Sequence, residues 1–281
     1  MRELNGRVAV VTGAGSGIGR ALAARFAAEG MAVAIADIEA GPLEETRAEL
    51  AAAGAKVFAE VVDVGDEAAV RAFADRVFDA FGAVHLLCNN AGVFTGGQMW
   101  TRPVADFEWT FRVNTWGVLH GVQAFVPRMI EQGTEGHVVN TASVAGLFGA
   151  PFSGAYTMSK FATYAATECL AHEFAVSGVK LRASVLCPGG VATGIAAAER
   201  NRPAALAAER TPDQDFIDQV IAGAVTGGIA PADVADAVVR AVREERFLIL
   251  THDSYRPGLT ARAEDLAAGR LPGLPDFESR D

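Results

Sequence analysis

The chain has 281 residues, of which 51% are hydrophobic and 21% are charged, and its formal net charge is −10. This length and composition predict one large α/β domain or two small ones, with a sizeable core and little disorder. The acidic balance argues against a nucleic-acid partner, because phosphate contacts need clustered Lys and Arg side chains.

Cysteines, histidines and the N-terminus each argue against a class of protein. The three cysteines, Cys88, Cys169 and Cys187, are widely spaced within apolar runs, which is typical of free buried thiols rather than disulfides. The five histidines lack the H-x-x-x-H spacing of metal ligands. The polar N-terminus and the absence of an 18-residue apolar run predict a soluble cytoplasmic protein without a membrane partner.

The first predicted unit is a strand, a glycine turn and a helix. Val8–Val11 is fully apolar, as expected of a strand covered on both faces, and the helix that follows the turn stops at Gly30. The turn carries glycines at positions 13, 15, 17 and 19, which let the backbone approach a pyrophosphate at the helix N-terminus. Although the spacing departs from G-x-G-x-x-G, its place between strand and helix favours a dinucleotide site.

An acidic residue follows the second predicted strand, Ala32–Ala36. Asp37 stands 18 residues after Gly19, where a carboxylate can accept the ribose hydroxyls of an adenosine and repel a 2′-phosphate. The alternative is that it caps the helix predicted over Pro42–Ala53. Because no Arg or Lys lies between Thr12 and Gly19 or directly after Asp37, the sequence favours NAD over NADP.

The third predicted strand, Val57–Val62, also ends in an acidic residue. Asp63, followed by Val64, can meet an adenine amino group at the carboxyl end of the strand. It can equally cap the helix predicted over Glu67–Phe81, so both roles stay open.

The fourth predicted strand, Val84–Cys88, ends in the tetrapeptide Asn89-Asn90-Ala91-Gly92. Such residues suit a tight backbone beneath a cofactor, and they suit any turn. One long helix is predicted from about Val104 to Glu131. Asn114 falls inside it although Asn is a poor helix former, so it either faces solvent or holds a local irregularity.

The candidate catalytic residues follow the fifth predicted strand, Gly136–Asn140. Tyr156 and Lys160 are four apart on a predicted helix and therefore share one face. An ammonium beside a phenol favours the phenolate and lowers the tyrosine pKa from about 10, which makes a general acid or base. Ser143 would hydrogen-bond the same substrate oxygen. By itself the Tyr–Lys spacing also arises by chance.

The sixth and seventh predicted strands are Val179–Cys187 and Phe247–Leu250, and the sixth leads into Pro188-Gly189. Seven short strands alternating with helices predict a doubly wound parallel sheet with helices on both faces. Ligands of such sheets lie at the carboxyl ends of the strands. Nearly every motif falls there; Asn114 and the Tyr156 helix can line the same crevice.

Two stretches interrupt the alternation. Residues 193–230 combine Pro203, Pro212 and Gly227-Gly228 with Ala-rich helical pieces, and are predicted to be a substrate lid or, alternatively, a disordered loop. The tail, residues 252–281, has a possible short helix at 260–268 and is expected either to pack on a partner subunit or to cross toward an active site. Because no linker or repeat is visible, residues 1–281 are predicted to form one domain.

Taken together, the motifs make the chain resemble the short-chain dehydrogenase/reductase family over nearly its whole length. The matching residues are Thr12-Gly13-x3-Gly17-x-Gly19, Asn89-Asn90-Ala91-Gly92, Asn114, Ser143, Tyr156-x3-Lys160 and Pro188-Gly189 with Thr193. The resemblance implies a Rossmann-like sheet in the order 3-2-1-4-5-6-7 and a homotetramer or homodimer.

The resemblance also implies a role for each site residue. Tyr156 would be the acid/base, Ser143 would orient the substrate oxygen, and Lys160 would bind the nicotinamide ribose and lower the Tyr156 pKa. Asn114 would hold a water of the proton relay, and Thr193 would contact the nicotinamide carboxamide. The predicted cofactor-binding set is Gly13, Ser16, Gly17, Ile18, Gly19, Asp37, Asp63, Val64, Asn90, Ala91, Gly92, Tyr156, Lys160, Pro188, Gly189, Val191 and Thr193, with no metal ligand.

The expected activity is reversible NAD-linked oxidation of a secondary alcohol to a ketone. Apolar residues flanking the motifs predict a pocket for a bulky, weakly polar substrate, such as a cyclic, terpenoid or steroid-like alcohol. These residues, which core or subunit packing would equally explain, are Val93, Phe94, Met99, Trp100, Val144, Phe148, Phe152, Val191 and Ile195. The alternatives are a related enzyme acting on a carbonyl thioester, a dehydratase or epimerase, and a non-catalytic NAD-sensing module.

Overall fold

The computed structural model describes residues 1–274 of the chain and contains a seven-stranded parallel sheet. Its strands are β1 (Val8–Thr12), β2 (Ala32–Asp37), β3 (Val57–Val61), β4 (Leu86–Asn89), β5 (Gly136–Thr141), β6 (Leu181–Cys187) and β7 (Leu248–Leu250). The spatial order is β3-β2-β1-β4-β5-β6-β7, which confirms the predicted topology. Because β1 lies between β2 and β4, the crossovers leave β1 in opposite directions and open a crevice at its carboxyl end.

Helices cover both faces of the sheet. They are α1 (Gly17–Ala28), α2 (Ala40–Ala52), α3 (Glu67–Phe81), α4 (Val104–Phe111), α5 (Gly117–Glu131), α6 (Gly154–Ser177), α7 (Pro212–Thr226), α8 (Pro231–Glu244) and α9 (Tyr255–Ala267). One core cluster joins the sheet to α1, α2 and α8, and a second joins it to α3, α5 and α6. β1 and β2 are almost entirely apolar because both of their faces are covered.

The helix predicted over residues 104–131 is helical between those bounds, but it is not one regular α-helix. A π-helical turn, Arg112–Trp116, separates α4 from α5, and Asn114 is fully buried within it. The asparagine therefore does not face solvent but holds a local irregularity, as the second of the two predicted readings requires.

Three strands begin later than predicted: β4 and β6 by two residues each, and β7 by one. Val84 exchanges backbone hydrogen bonds with the side chain of Gln132, at 3.0 and 3.1 Å, so β4 begins only at Leu86. Gly178 ends α6 in the left-handed conformation at φ 65°, so the chain needs two more residues before β6 begins at Leu181.

Two helices begin earlier than predicted because proline is tolerated in a first helical turn. Pro42 is the third residue of α2, and Pro257 is the third residue of α9. The helix predicted over Glu67–Phe81 has those bounds in the structure.

Burial of the cysteines agrees with the prediction at two of three positions. Cys88 and Cys187 are buried, whereas Cys169 is exposed on α6. Within residues 1–274, no helix combines the length and the apolar character that crossing a bilayer requires. The single domain stays a prediction, and the end of the predicted tail, with Pro275, lies outside the described residues.

The packing of α1 against the sheet and α8 predicts a large effect of truncating Phe26. This side chain is 0% exposed within the first core cluster, so Phe26→Ala should lower the free energy of unfolding by about 3–5 kcal/mol. Val176→Ala is the control, because Val176 is 89% exposed and its loss should change stability by less than about 0.5 kcal/mol. Urea denaturation measures both; equal effects would contradict the burial.

Candidate active site

The glycine turn after β1 is built by close backbone approaches. A Cβ atom at Gly19 would lie 2.0 Å from the carbonyl oxygen of Gly13, and one at Gly13 would lie 2.8 Å from Cα of Ala91. Gly13 and Gly17 also have positive φ angles of 67° and 50°. Only glycine satisfies these constraints, and the turn brings the N-terminus of α1 to the carboxyl edge of the sheet.

Asp37 lies at the end of β2 with both carboxylate oxygens engaged. Oδ2 accepts a hydrogen bond of 2.8 Å from the backbone N–H of Gly15, and Oδ1 accepts one of 2.9 Å from the N–H of Glu39. Glu39, rather than Asp37, occupies the N-cap position of α2. The helix-capping alternative is therefore wrong, and the carboxylate is oriented toward the glycine turn.

Asp63 likewise does not cap the helix that follows it. Its Oδ1 accepts a hydrogen bond of 2.8 Å from the N–H of Gly65, and its Oδ2 pairs with Arg112 at 2.8 Å. The cap of α3 is Asp66, whose carboxylate accepts the N–H groups of Ala68 and Ala69. The Asp63–Arg112 pair instead ties the end of β3 to the π-helical turn.

Thr12 joins the ends of β1 and β4. Its hydroxyl accepts the backbone N–H groups of Asn90 and Ala91, at 2.9 and 3.1 Å, and its carbonyl accepts the Asn90 amide at 3.0 Å. The hydroxyl of Thr141 in β5 donates to the Asn90 side chain at 3.3 Å. Asn90 thus links three neighbouring strands where they meet the glycine turn.

Asn114 is held behind the site by the segment that follows β4. Its Oδ1 accepts the N–H of Val93 at 2.8 Å, and its Nδ2 donates to the Val93 carbonyl and to Ser159 Oγ, each at 3.0 Å. The hydroxyl of Thr163 donates to the Asn114 carbonyl at 2.7 Å. A Cβ atom at Gly92 would lie 3.3 Å from Asn114 Oδ1 and 3.4 Å from Lys160 Nζ, so both groups flank Gly92.

Tyr156 and Lys160 lie on one face of α6, as predicted, with Lys160 Nζ 5.6 Å from the centre of the Tyr156 ring. Lys160 is buried, and its ammonium donates to the Thr141 carbonyl at 2.9 Å. The ring of Phe94 meets Tyr156 edge-on at 5.1 Å between ring centres. Ser143 is buried at the end of β5 and hydrogen-bonds Tyr156.

The expected lowering of the Tyr156 pKa is not what the structure gives for the chain by itself. Burial raises the pKa of Tyr156 to about 12, and the hydrogen bond with Ser143 opposes this only in part. Burial also lowers the pKa of Lys160 to about 8. The cause is desolvation, which disfavours both charged forms and which the spacing of the two residues does not reveal.

One cavity of about 600 Å³ runs along the carboxyl edge of the sheet and connects these groups. Gly19 and Asn114 alone among the predicted site residues do not line it; Gly19 packs beneath the turn and Asn114 lies behind Val93. The predicted site residues that line it are Gly13, Ser16, Gly17, Ile18, Asp37, Asp63, Val64, Asn90, Ala91, Gly92, Ser143, Tyr156, Lys160, Pro188, Gly189, Val191 and Thr193.

Six of the nine apolar pocket candidates also line the cavity: Val93, Phe94, Val144, Phe152, Val191 and Ile195. The other three do not. Met99 and Trp100 are 55% and 81% exposed, and Phe148 packs in the core against Tyr255. The sequence shows that these residues flank a motif, but not on which side of the backbone they lie.

The 193–230 segment forms helical turns and α7 rather than a disordered loop. It contributes wall residues that the sequence analysis missed, among them Arg200 and one face of α7. The apolar residues of that face are Phe216, Ile217, Val220, Ile221 and Ala224. The helical spacing of these apolar residues could have predicted that they share one face. No pattern in the sequence indicated that Arg200 lines the cavity.

A buried ion cluster fastens this segment to α4. The carboxylate of Asp106, 1% exposed, pairs with both Arg102 and Arg202, whose side chains are 3% and 6% exposed. Arg202 also pairs with Glu199 at 3.1 Å and lies over the Trp109 ring. Arg102 donates further hydrogen bonds to residues 209 and 211, just before α7. Asp106 therefore holds two parts of the segment in place.

Comparison with known proteins agrees with the motifs. The family profile described as short chain dehydrogenase matches residues 7–204. A crystal structure of a short-chain dehydrogenase/reductase from Burkholderia phymatum in complex with NAD is 46% identical, covers 98% of this chain and 99% of its own, and has a TM-score of 0.96.

Two further relatives are similar over most of their lengths. A CLA biosynthesis dehydrogenase/reductase from Lactiplantibacillus plantarum is 32% identical over 100% of this chain and 99% of its own. A 1-deoxy-11-beta-hydroxypentalenate dehydrogenase from Streptomyces exfoliatus is 37% identical over 94% of this chain and 90% of its own. Both are named as dehydrogenases, in agreement with the arrangement of residues along the cavity.

The buried cluster predicts that Asp106→Asn is strongly destabilising. Removing the charge leaves two buried guanidinium groups without their shared anion, which should cost about 3–5 kcal/mol in the free energy of unfolding. Glu67→Gln breaks the exposed pair with Arg71 and should cost less than about 1 kcal/mol. Denaturant titration compares the two; a similar small loss in both would show that the cluster is not an essential anchor.

Proposed function

The chain belongs to the short-chain dehydrogenase/reductase family of oxidoreductases, and we propose that it interconverts a secondary alcohol and a ketone with NAD. One observation carries the proposal: Tyr156, Lys160 and Ser143 line the same cavity as the glycine turn and Asp37. A proton-transfer group and a nucleotide cradle in one cavity are what hydride transfer requires. The NAD bound by the Burkholderia phymatum relative supports the choice of cofactor.

The residues present fit NAD. The N-terminus of α1 offers backbone N–H groups to a pyrophosphate, and the Ser16 side chain makes no capping hydrogen bond there. Asp37 offers a carboxylate at the end of β2, where ribose hydroxyls would bind and a 2′-phosphate would be repelled. Ile18 and Val64 provide apolar walls between these points.

The chain's own contribution to the reaction is proton transfer and positioning. When bound, NAD supplies the hydride acceptor and, in its oxidised form, a positively charged ring. Tyr156 would accept the hydroxyl proton of the alcohol, and Ser143 would hydrogen-bond the same oxygen. Lys160, fixed by the Thr141 carbonyl, would bind the nicotinamide ribose. Asn114 would hold a water behind Gly92, and Thr193 would contact the carboxamide.

Loss of the Tyr156 proton requires its pKa to fall from the value of about 12 that burial produces. Two groups of the chain act in that direction: the Ser143 hydroxyl, and the nearby ammonium of Lys160. A positive charge on the bound ring would act in the same sense, because any nearby cation favours the phenolate. We therefore expect the tyrosine to become a base mainly in the cofactor complex.

The wall of the cavity supports a bulky, apolar substrate, cyclic, terpenoid or steroid-like in shape. Phe94 lies against Tyr156, and Phe152 meets Phe216 of α7 edge-on at 5.5 Å between ring centres. Phe152 has a φ of 59°, a strained value for a non-glycine residue that is held by its carbonyl accepting the N–H of Gly97 at 2.6 Å. In this conformation the Phe152 ring lines the cavity beside α7.

The charges along the cavity argue against acidic substrates. Among the described lining residues, the charged ones other than Lys160 lie near the ends of β2 and β3 or are paired there. They are Asp37, Glu39, Asp63, Arg112 and Arg200. The α7 face therefore offers no cation to a substrate carboxylate, and short hydroxy acids would lack a partner.

Two alternatives use the same cavity differently. A related enzyme would act on a carbonyl thioester, or as a dehydratase or epimerase, and stoichiometric NADH with a ketone product would exclude these. A non-catalytic NAD-sensing module would bind NAD tightly without turnover of any alcohol. The convergence of Tyr156, Lys160 and Ser143 favours the enzyme, because sensing alone does not need them.

We further propose that the chain forms one domain, assembles as a homotetramer or homodimer and is located in the cytoplasm. The 193–230 segment is proposed to be a substrate lid. The assembly follows from the family resemblance. The lid is supported by the apolar face of α7 along the cavity and by the ion cluster that holds the segment over it.

The proposal predicts that Tyr156→Phe abolishes turnover while NAD binding persists. The substitution removes only the hydroxyl that exchanges the proton, so kcat should fall by at least about a hundredfold, the usual scale of general acid–base catalysis. Reduced-cofactor absorbance measures kcat, and calorimetry measures NAD affinity. Tyr164→Phe is the control, because Tyr164 lies on the same helix and does not line the cavity. Near wild-type turnover in Tyr156→Phe would refute the assignment.

A bulky substrate predicts that Phe216→Ala raises KM for a steroid-sized secondary alcohol by about tenfold, the effect of losing one aromatic contact. Leu266→Ala is the control, since Leu266 on α9 is 54% exposed, like Phe216 at 53%, and does not line the cavity. Initial rates with the steroid-sized alcohol and with lactate test both variants. Turnover confined to lactate would overturn the proposed substrate class.

A further inference from the structure

A second ion pair, Glu39–Arg200, lies at the Asp37 end of the cavity. Arg200 comes from the 193–230 segment, and Glu39 follows β2, so the pair joins residues 161 positions apart. Both side chains line the cavity together with Asp37. The pair therefore lies where the structure would receive the adenosine ribose, and it is separate from the Asp106 cluster.

Arg200 makes four hydrogen bonds in this position. Nε and Nη2 form a two-point contact with the Glu39 carboxylate, at 3.0 and 2.7 Å. Nη1 donates to the carbonyls of Ala197 and Gly194, at 2.7 and 3.4 Å, within the same helical turn. The guanidinium therefore binds the backbone of its own segment through Nη1 and the Glu39 carboxylate through Nε and Nη2.

Among residues 1–274, no group lining this side of the cavity is an unpaired cation. The hydrogen bond from Arg200 holds the pKa of Glu39 below its usual value, and Glu39, with a smaller contribution from Asp37, raises the pKa of Arg200. Glu39 and Arg200 therefore form a charged pair at neutral pH, and the Asp37 carboxylate lies near the same guanidinium. An arginine fork binds phosphate as readily as carboxylate, so the occupant of the fork decides which anion the site accepts.

We propose that Glu39 sets the preference for NAD over NADP by occupying Arg200, which would otherwise pair with a 2′-phosphate. Asp37 repels that phosphate directly, and Glu39 removes the chain's available counter-charge. The two acidic residues therefore act by different means. The inference rests on the proposed cofactor but not on the proposed substrate, so binding of nucleotide fragments tests it without turnover.

The experiment compares two probes, 5′-AMP and adenosine 2′,5′-bisphosphate, by calorimetry on the full-length chain. Wild type should prefer 5′-AMP. Glu39→Gln should shift the ratio of the two dissociation constants toward the bisphosphate by about tenfold, the scale of one charge-assisted hydrogen bond. The double variant Glu39→Gln/Arg200→Gln should lose most of that shift, because the cation that binds the phosphate is gone.

Glu44→Gln is the matched control. Glu44 makes the same two-point contact with Arg47 on the exposed surface of α2, at 2.7 and 2.6 Å, and does not line the cavity. Its ratio of dissociation constants should equal that of wild type. Thermal melting of each variant confirms that the fold is retained.

Two results would overturn the inference. An unchanged ratio in Glu39→Gln would show that the carboxylate does not withhold Arg200, and an equal shift in the single and double variants would assign the effect to loss of negative charge alone. If neither probe nor NAD binds to wild type, the proposed cofactor itself is wrong and the inference falls with it. If wild type binds NAD but the ratio of the two dissociation constants is unchanged in Glu39→Gln, the inference is contradicted and the proposed cofactor is not.

Discussion

The candidate site depends on the hydrogen bonds that Thr12 makes to the residues after β4. The carboxyl ends of parallel strands lie at one edge of the sheet, but a site also requires that the residues after those strands be held together. The Thr12 hydroxyl and carbonyl hold Asn90 and Ala91 at the end of β1. Gly13 lies so close to Ala91 that a Cβ atom at position 13 would be 2.8 Å from the Ala91 Cα. The glycine turn and the proposed catalytic residues share a cavity because these hydrogen bonds join the two strand ends.

A second constraint acts through the helix beside that edge. The π-helical turn at residues 112–116 inserts Asn114 between the Val93 backbone and Ser159 on the Tyr156 helix. A regular α-helix would carry the asparagine at a different angle, since the π turn widens the backbone by one residue. The irregularity therefore connects the segment after β4 to α6, which carries the proposed acid/base.

Burial has different consequences at Tyr156, which lines the cavity, and at Asp106, which does not. Around Tyr156, burial raises the pKa of the phenol, and a neighbouring ammonium or a bound cationic ring would lower it. Around Asp106 burial makes a shared anion necessary, because two guanidinium groups without it would be unpaired charges in the core. The Glu39–Arg200 pair lines the cavity, and there each charge is balanced by the other rather than by a ligand.

The sequence by itself determined the alternation of strands and helices, the glycine turn and the Tyr156–Lys160 face, and the resemblance supplied the sheet order. These features depend on local backbone preferences and on spacing within one element, which short windows encode. Strand and helix ends shifted by a few residues where a side chain such as Gln132 took over a backbone partner.

Only the tertiary structure decided the rest of the site. The folded chain has a π-helical turn at Asn114, and Met99 and Phe148 do not line the cavity. The pKa of Tyr156 is raised rather than lowered. The fold also brings Arg200 to Glu39 across 161 residues. Desolvation and long-range pairing depend on which surfaces the folded chain places together, and no periodicity in the sequence records that.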